Sequence, residues 1–169
     1  MKHSFLVAIL AASAYAQKIE IEFDQQADFS RFHSFAIRSS RLNSKNPSLN
    51  SELIKKRINL DIEKFLEAKG LEFVEEGKSD LNVRYTLGSA RKVETEAYPA
   101  GWRGWGTAIV RVPYTEGTLV LDFRDGTTTP HSLVWRAIAR LEKNDAAGVE
   151  KKLDDMVKKS IEKYPPKPK

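Results

Sequence analysis

Apolar and polar residues alternate with a period of two at Ile19, Ile21 and Phe23 against Glu20, Glu22 and Asp24, the pattern of a strand that buries one face and wets the other. The same period recurs at Leu81, Val83, Tyr85 and Leu87 against Asn82, Arg84 and Thr86. It appears again at Leu119, Leu121 and Phe123 against Val120, Asp122 and Arg124, where Val120 blurs the contrast. A further strand is predicted over 133–139, burying Trp135, and Asp125-Gly126 begins the turn that joins it to its predecessor as a hairpin. Short strands are predicted over 34–37 and 71–74, and Phe29 and Phe32, three apart on a helical turn, read as core plugs.

Two segments carry the longer helical period instead. Residues 38–50, rich in Ser, Asn and Pro, read as a loop, with Ser48 or Asn50 placed to cap the helix that follows. Leu53, Ile54, Ile58, Ile62, Phe65 and Leu66 form its apolar stripe, and Gly70 stops it. A second helix starts at Asn144 or Asp145, carries the stripe Val149, Leu153, Met156, Val157, Ile161 and Tyr164, and ends at Pro165-Pro166. Two such helices need one apolar surface. The expected fold is α+β: a two-layer sandwich, with a mainly antiparallel sheet, two amphipathic helices packed on one face and the charged face left to solvent. Asp122 and Arg136 are expected to form a cross-strand ion pair on that wet face.

The amino terminus has a different character. Met1, Lys2 and His3 make a basic start, 5–12 an apolar run, and Ala14-Tyr15-Ala16 the small-x-small pattern accepted by signal peptidase before Gln17. Residues 1–16 therefore read as a signal peptide and 17–169 as a single domain, periplasmic or secreted after cleavage between Ala16 and Gln17. No run approaches the roughly 20 apolar residues that span a bilayer. Cysteine is absent, which removes disulfides, thiolate chemistry and lipidation at a cysteine after the leader. The net charge of +5, or +4 once Lys2 leaves with the leader, is spread over mixed acidic and basic helix faces. Nucleic acid is not an expected partner.

Asp24, the run Ala27-Asp28-Phe29-Ser30-Arg31-Phe32, then Arg57-Ile58, Leu66 with Gly70, and Asp80-Leu81 with Val83 and Tyr85 follow one another in a recognisable order. Glu116-Gly117-Thr118-Leu119-Val120, Asp122, Asp125, Leu133-Val134-Trp135-Arg136 and Tyr164-Pro165 continue it. This order resembles the family known as domain of unknown function 4136, found in bacterial envelope proteins. The resemblance implies an α+β envelope domain and supplies no activity. Many members look like lipoproteins, whereas this chain has Gln17 where they carry a lipidated cysteine, which favours a freely soluble form.

Candidate chemistry is sparse. His33 and His131 are far apart and outside any ligand motif, so no metal and no cofactor is expected. Glu75-Glu76, Glu94 with Glu96, Asp122 with Asp125 and Asp154-Asp155 are the local acid pairs, and each reads as surface charge. Gly88-Ser89-Ala90 lacks the helix a nucleophile elbow needs, and Gly101, Gly104 and Gly106 lack the strand and helix of a phosphate loop.

The most unusual stretch is 98–106, where Tyr98, Trp102, Arg103 and Trp105 interleave with glycine. Two indoles beside a cation suit stacking on a sugar, a lipid headgroup or a partner protein, and related family members also look glycine- and aromatic-rich here. The plainer alternative folds both tryptophans back over an edge of the core. The leading expectation is an exported, non-catalytic binding or interaction domain of the cell envelope, taking an envelope protein, glycan or lipid surface. An envelope hydrolase whose carboxylates converge only in the fold, and a structural subunit of an envelope assembly, are the alternatives.

Overall fold

The computed structural model describes residues 18–44, 46–88, 94–99, 107–112, 117–141 and 146–167, with 94–99 and 107–112 followed as backbone. The expected leader and the helix caps Asn144 and Asp145 lie outside them. In chain order the elements are β1 (Lys18–Phe23), β2 (Ser34–Asn43), α1 (Glu52–Glu67), β3 (Glu72–Phe73), β4 (Leu81–Gly88), β5 (Glu94–Pro99), β6 (Thr107–Val112), β7 (Thr118–Asp125), β8 (Leu133–Arg140) and α2 (Ala146–Ile161). Six strands form one sheet in the order β1-β8-β7-β4-β2-β3, and β5 pairs with β6 in a separate antiparallel ribbon. Neither of these last two strands is expected from the sequence.

The fold is α+β on a mixed sheet. Pairing is antiparallel from β1 through β8 and β7 to β4, whereas β2 runs parallel to both β4 and β3. The sheet is mainly antiparallel, as expected, and the exceptions lie at β2, because the chain leaves that strand through α1, and a helical crossover returns its successors in the same direction. The loop expected over 38–50 is corrected. Strand β2 continues to Asn43, since β4 supplies backbone partners to a segment whose side chains are mostly polar.

Ser51 rather than Ser48 or Asn50 caps α1, its hydroxyl accepting the Ile54 N–H at 3.2 Å. Gly70, at a φ of 88°, ends the following turn in the left-handed conformation, and the Leu71 N–H reaches back to the Leu66 carbonyl at 3.2 Å. Ile54, Ile58, Ile62 and Leu66 are buried. Leu53, expected in the same stripe, is 78% exposed, because it sits about 100° of helical arc from the line those residues define.

Strand register aligns Phe23, Trp135, Phe123 and Val83 in one row across the sheet and Ile21, Ala137, Leu121 and Tyr85 in the next. These residues share a single core with the buried side chains of α1 and with Val149, Leu153, Met156, Val157 and Ile161 of α2. Burial of each large aliphatic contributes about 1.5–3 kcal/mol relative to exposure.

The opposite face of the sheet corrects a further expectation. Its register rows run Glu22, Arg136, Asp122, Arg84 and Glu20, Ile138, Val120, Thr86. Glu22 and Arg84 are exposed, but Arg136, Asp122, Ile138, Val120 and Thr118 are buried, so the middle of this face is not wet. The Asp122–Arg136 pair does form, with Nε–Oδ1 and Nη2–Oδ2 contacts of 2.6 Å each, inside rather than on the surface.

Helices α1 and α2 meet along a seam where Arg57 Nε donates to Asp154 Oδ1 at 2.5 Å. Asp61 lies beside them, its Oδ2 buried without a hydrogen-bond partner among the described residues. Burial first, then the neighbouring Asp154 carboxylate, pushes the Asp61 pKa up to about 6. Hydrogen bonding from Arg57 holds the Asp154 carboxyl below its ordinary range.

The two acids therefore act on stability with opposite signs. Folded Asp61 keeps its proton more tightly than unfolded Asp61, so its contribution is favourable below pH about 4 and is lost as pH rises through about 6. The Asp154 contribution is present above the ordinary carboxyl range and is lost as pH falls. Asp61→Asn is expected to remove the decline between pH 4 and 6 and to raise stability at pH 7 by about 1 kcal/mol, discounted for partial solvent screening. Urea melts of both proteins at pH 4, 5, 6 and 7 check this; parallel pH profiles would contradict it.

Candidate functional site

A cleft of about 320 Å³ opens where β2 and β4 meet the turn before β4 and the turn between β7 and β8. Its side chains come from Arg38, Lys78, Ser79, Asn82, Arg84 and His131, with Gly77 and Gly126 adding backbone. Among these described lining residues there is no carboxylate and no large apolar side chain.

Arg38 owes its position to an irregularity. The register between β2 and β4 shifts between Ile37 and Ser39, leaving Arg38 without a partner in the ladder. Such a bulge turns a side chain away from the regular alternation. Arg38 Nε donates to Asn82 Oδ1 at 3.2 Å, and its Nη2 donates to the Gly77 carbonyl. Both acceptors are neutral, so they hold the guanidinium without cancelling its charge. Ser79 Oγ also reaches Asn82 Oδ1, at 3.4 Å, which commits the amide oxygen of Asn82 and leaves its N–H groups for other acceptors.

Three local structures fix the frame. Gly77 has a φ of 91°, a conformation that disfavours any side chain. Gly126 is required for a different reason: a Cβ there would stand 2.0 Å from the Ser79 carbonyl oxygen, while its N–H donates to the Asp80 carbonyl at 2.7 Å. The β7–β8 turn is thereby packed against the turn entering β4. Asp80 ties both to the start of β2, accepting the His33 and Ser34 N–H groups at 2.9 and 3.0 Å. Those bonds, that from His33 foremost, hold the Asp80 carboxyl below its ordinary range.

The aspartates around the cleft are already engaged. Asp125 accepts the Thr127 N–H at 2.9 Å and the Thr127 hydroxyl at 2.6 Å, and its other oxygen pairs with Arg31. Asp122, opposite Arg84 in the register, is held by Arg136. Glu75 and Glu76 are exposed in the neighbouring turn and do not line the cleft. Lys78 and Arg84 are exposed and form no ion pair among the described residues. His131 lines the cleft with its Nδ1–H donating to the Asp125 carbonyl at 3.1 Å.

The site expected from sequence is placed differently. Tyr98 belongs to β5, opposite Ala108, rather than to a loop. Trp102, Arg103 and Trp105 lie outside the described residues. Of the local acid pairs, Asp122 and Asp125 each have their own cation, and Asp154 and Asp155 pair with Arg57 and Lys159. The side chains of Glu94 and Glu96 are outside the description. Acids do converge at Asp61 and Asp154, which sequence spacing gave no way to see, but that seam is remote from the cleft lining. Among the described residues no three His, Cys, Asp or Glu gather as metal ligands, and no helix is long and apolar enough to cross a membrane.

Fold and cleft together define an α+β domain that presents a cation-lined cleft on a mixed sheet. The chain belongs to the family described as "Domain of unknown function (DUF4136)", whose model matches residues 19–166. A crystal structure of a family protein from Bacteroides thetaiotaomicron superposes with a TM-score of 0.62 at 16% identity, covering 88% of this chain and 96% of that one. A PDZ domain protein from Parabacteroides distasonis gives a TM-score of 0.54 at 16% identity over 89% of this chain and 36% of that one. The PelC dodecamer of Paraburkholderia phytofirmans aligns at a TM-score of 0.47 and 11% identity, over 86% of this chain and 95% of that one. No curated protein matches the chain.

Proposed function

We propose that this chain works outside the cytoplasm as a non-catalytic binding domain of the bacterial envelope. In this reading it is a two-layer sandwich whose helices brace one face of the sheet while the cleft receives a ligand. The chemistry of the cleft carries the reading: fixed N–H donors and cations converge there, and the described lining holds no carboxylate pair or activated nucleophile with which to start a reaction. The basic start, apolar run and Ala14-Tyr15-Ala16 support export, with Gln17 as the mature terminus. The sequence contains no cysteine to carry a lipid, which supports a soluble mature form. Tyr98, Trp102, Arg103 and Trp105 serve as a second contact surface.

Tryptophan fluorescence of the mature chain, titrated with envelope glycan and lipid fractions, tests this reading, with mass spectrometry of the fractions afterwards. Saturable change with chemically unaltered ligand is expected. Products accumulating with time would favour the hydrolase alternative, and a flat titration together with no heat by calorimetry on the same fractions would remove the binding role.

A further inference from the structure

The ligand class follows from the charge arrangement, on the premise that the cleft is a binding site. We infer that the cleft accepts an oxyanion, a phosphate or carboxylate, carried on a polar ligand of about one sugar unit.

Arg38, Lys78 and Arg84 bring three permanent positive charges to one concavity, and His131 adds a ring nitrogen. Like charges so placed repel one another, and in a protein that repulsion is ordinarily relieved by an interspersed carboxylate. Here the aspartates nearby are spent elsewhere, Asp80 on backbone N–H groups, Asp122 on Arg136, and Asp125 on Arg31 and Thr127, and the exposed Glu75 and Glu76 do not line the cleft. Arg38 is held by neutral acceptors, a prearranged donor rather than half of an ion pair. Guanidinium groups match planar or tetrahedral oxyanions with paired N–H donors, and the Asn82 amide adds an uncharged one. The volume of about 320 Å³ exceeds what a bare oxyanion fills and lies at the small end of ligand pockets. The lining offers no aromatic or aliphatic platform, so the carrier is polar.

Calorimetry on the mature chain with glucose 1-phosphate, glucuronate, inorganic phosphate and glucose tests this inference. Saturable binding of the sugar phosphate or the sugar acid is expected, with no heat from glucose, weakening as salt rises. The stronger of these two ligands assigns the preferred oxyanion. Inorganic phosphate binding as tightly as the sugar phosphate would assign the site to the oxyanion alone. Arg84→Gln and Lys78→Gln, both at exposed positions and checked for folding by circular dichroism, are each expected to weaken binding about tenfold, the loss of one charge-assisted contact. Glucose binding that neither variant alters would overturn the oxyanion class while leaving the domain a binder. Absence of heat from all four compounds at 10 mM, as an order-of-magnitude ceiling for weak sites, would overturn the inference itself, and the fluorescence titration would still report on the broader reading.

Discussion

Asp122→Ala is expected to destabilise the domain by about 3–5 kcal/mol, the largest effect of any charged residue described. Arg136 is 2% and Asp122 8% exposed, and their bidentate contact offsets part of the cost of burying the guanidinium. Removing the carboxylate takes a bidentate, charge-assisted contact away from a buried cation, and that share of the offset to its desolvation penalty is lost. The paired change Asp122→Leu with Arg136→Met is expected to recover most of the loss, because two apolar side chains of similar length join Val120 and Ile138, their neighbours on the same face. Equilibrium urea unfolding reads both. A loss below 1 kcal/mol in Asp122→Ala would mean that the pair is solvated like the Arg57–Asp154 contact, whose side chains are 37% and 52% exposed.

Trp135→Ala is expected to cost about 3–5 kcal/mol, and here the reason is packing. Trp135 is fully buried, with ring centroids of Phe123 at 4.5 Å and Tyr164 at 5.6 Å, while Phe29 stands 5.8 Å from Tyr164 on the other side. The aromatic cluster thus clips the segment after α2 and the turn after β1 onto the same sheet row. Tyr164→Phe separates packing from hydrogen bonding. The Tyr164 hydroxyl is buried without a hydrogen-bond partner among the described residues and burial raises its pKa, so deleting it is expected to be neutral or stabilising by up to about 1 kcal/mol. Thermal and urea melts of the two variants check the contrast. A Tyr164→Phe variant that loses more than Trp135→Ala would contradict the packing explanation.

Elements whose signal is local were legible in the sequence. Alternation in β1, β4 and β7 placed those strands, the turn at Asp125-Gly126 placed the β7–β8 hairpin, and the mid-strand position of Trp135 gave its burial. What escaped depends on long-range pairing. The polar stretch of β2 from Ser39 to Asn43 looks like a loop until β4 lies beside it, and β5 and β6 have no clean period of two. The buried second face was hidden because Asp122 and Arg136 read as wet residues when each is taken alone. Gly126 was correctly placed in a turn, but its necessity comes from the approach of the Ser79 carbonyl, 47 residues earlier in sequence, which no turn rule reports.

The cleft was illegible for the same reason. Arg38, Lys78, Arg84 and His131 come from separate segments, and the bulge that turns Arg38 toward Asn82 has no signature in Ile37-Arg38-Ser39. One local signal exists: Gly77-Lys78 sets a cation beside a glycine turn, a composition that suits an anion better than a core. The aromatic stretch drew attention through rare residue types, whereas the cleft is built from common ones brought together.

Amide chemical-shift mapping of the mature chain during titration with glucose 1-phosphate tests the binding role of the cleft most directly. Saturable shifts concentrated at Arg38, residues 77–84 and residues 126–131, and moved to about tenfold higher ligand concentration in Arg84→Gln, are expected. Shifts gathered at Tyr98, Trp102, Arg103 and Trp105 with a silent cleft, or none at all, would contradict it.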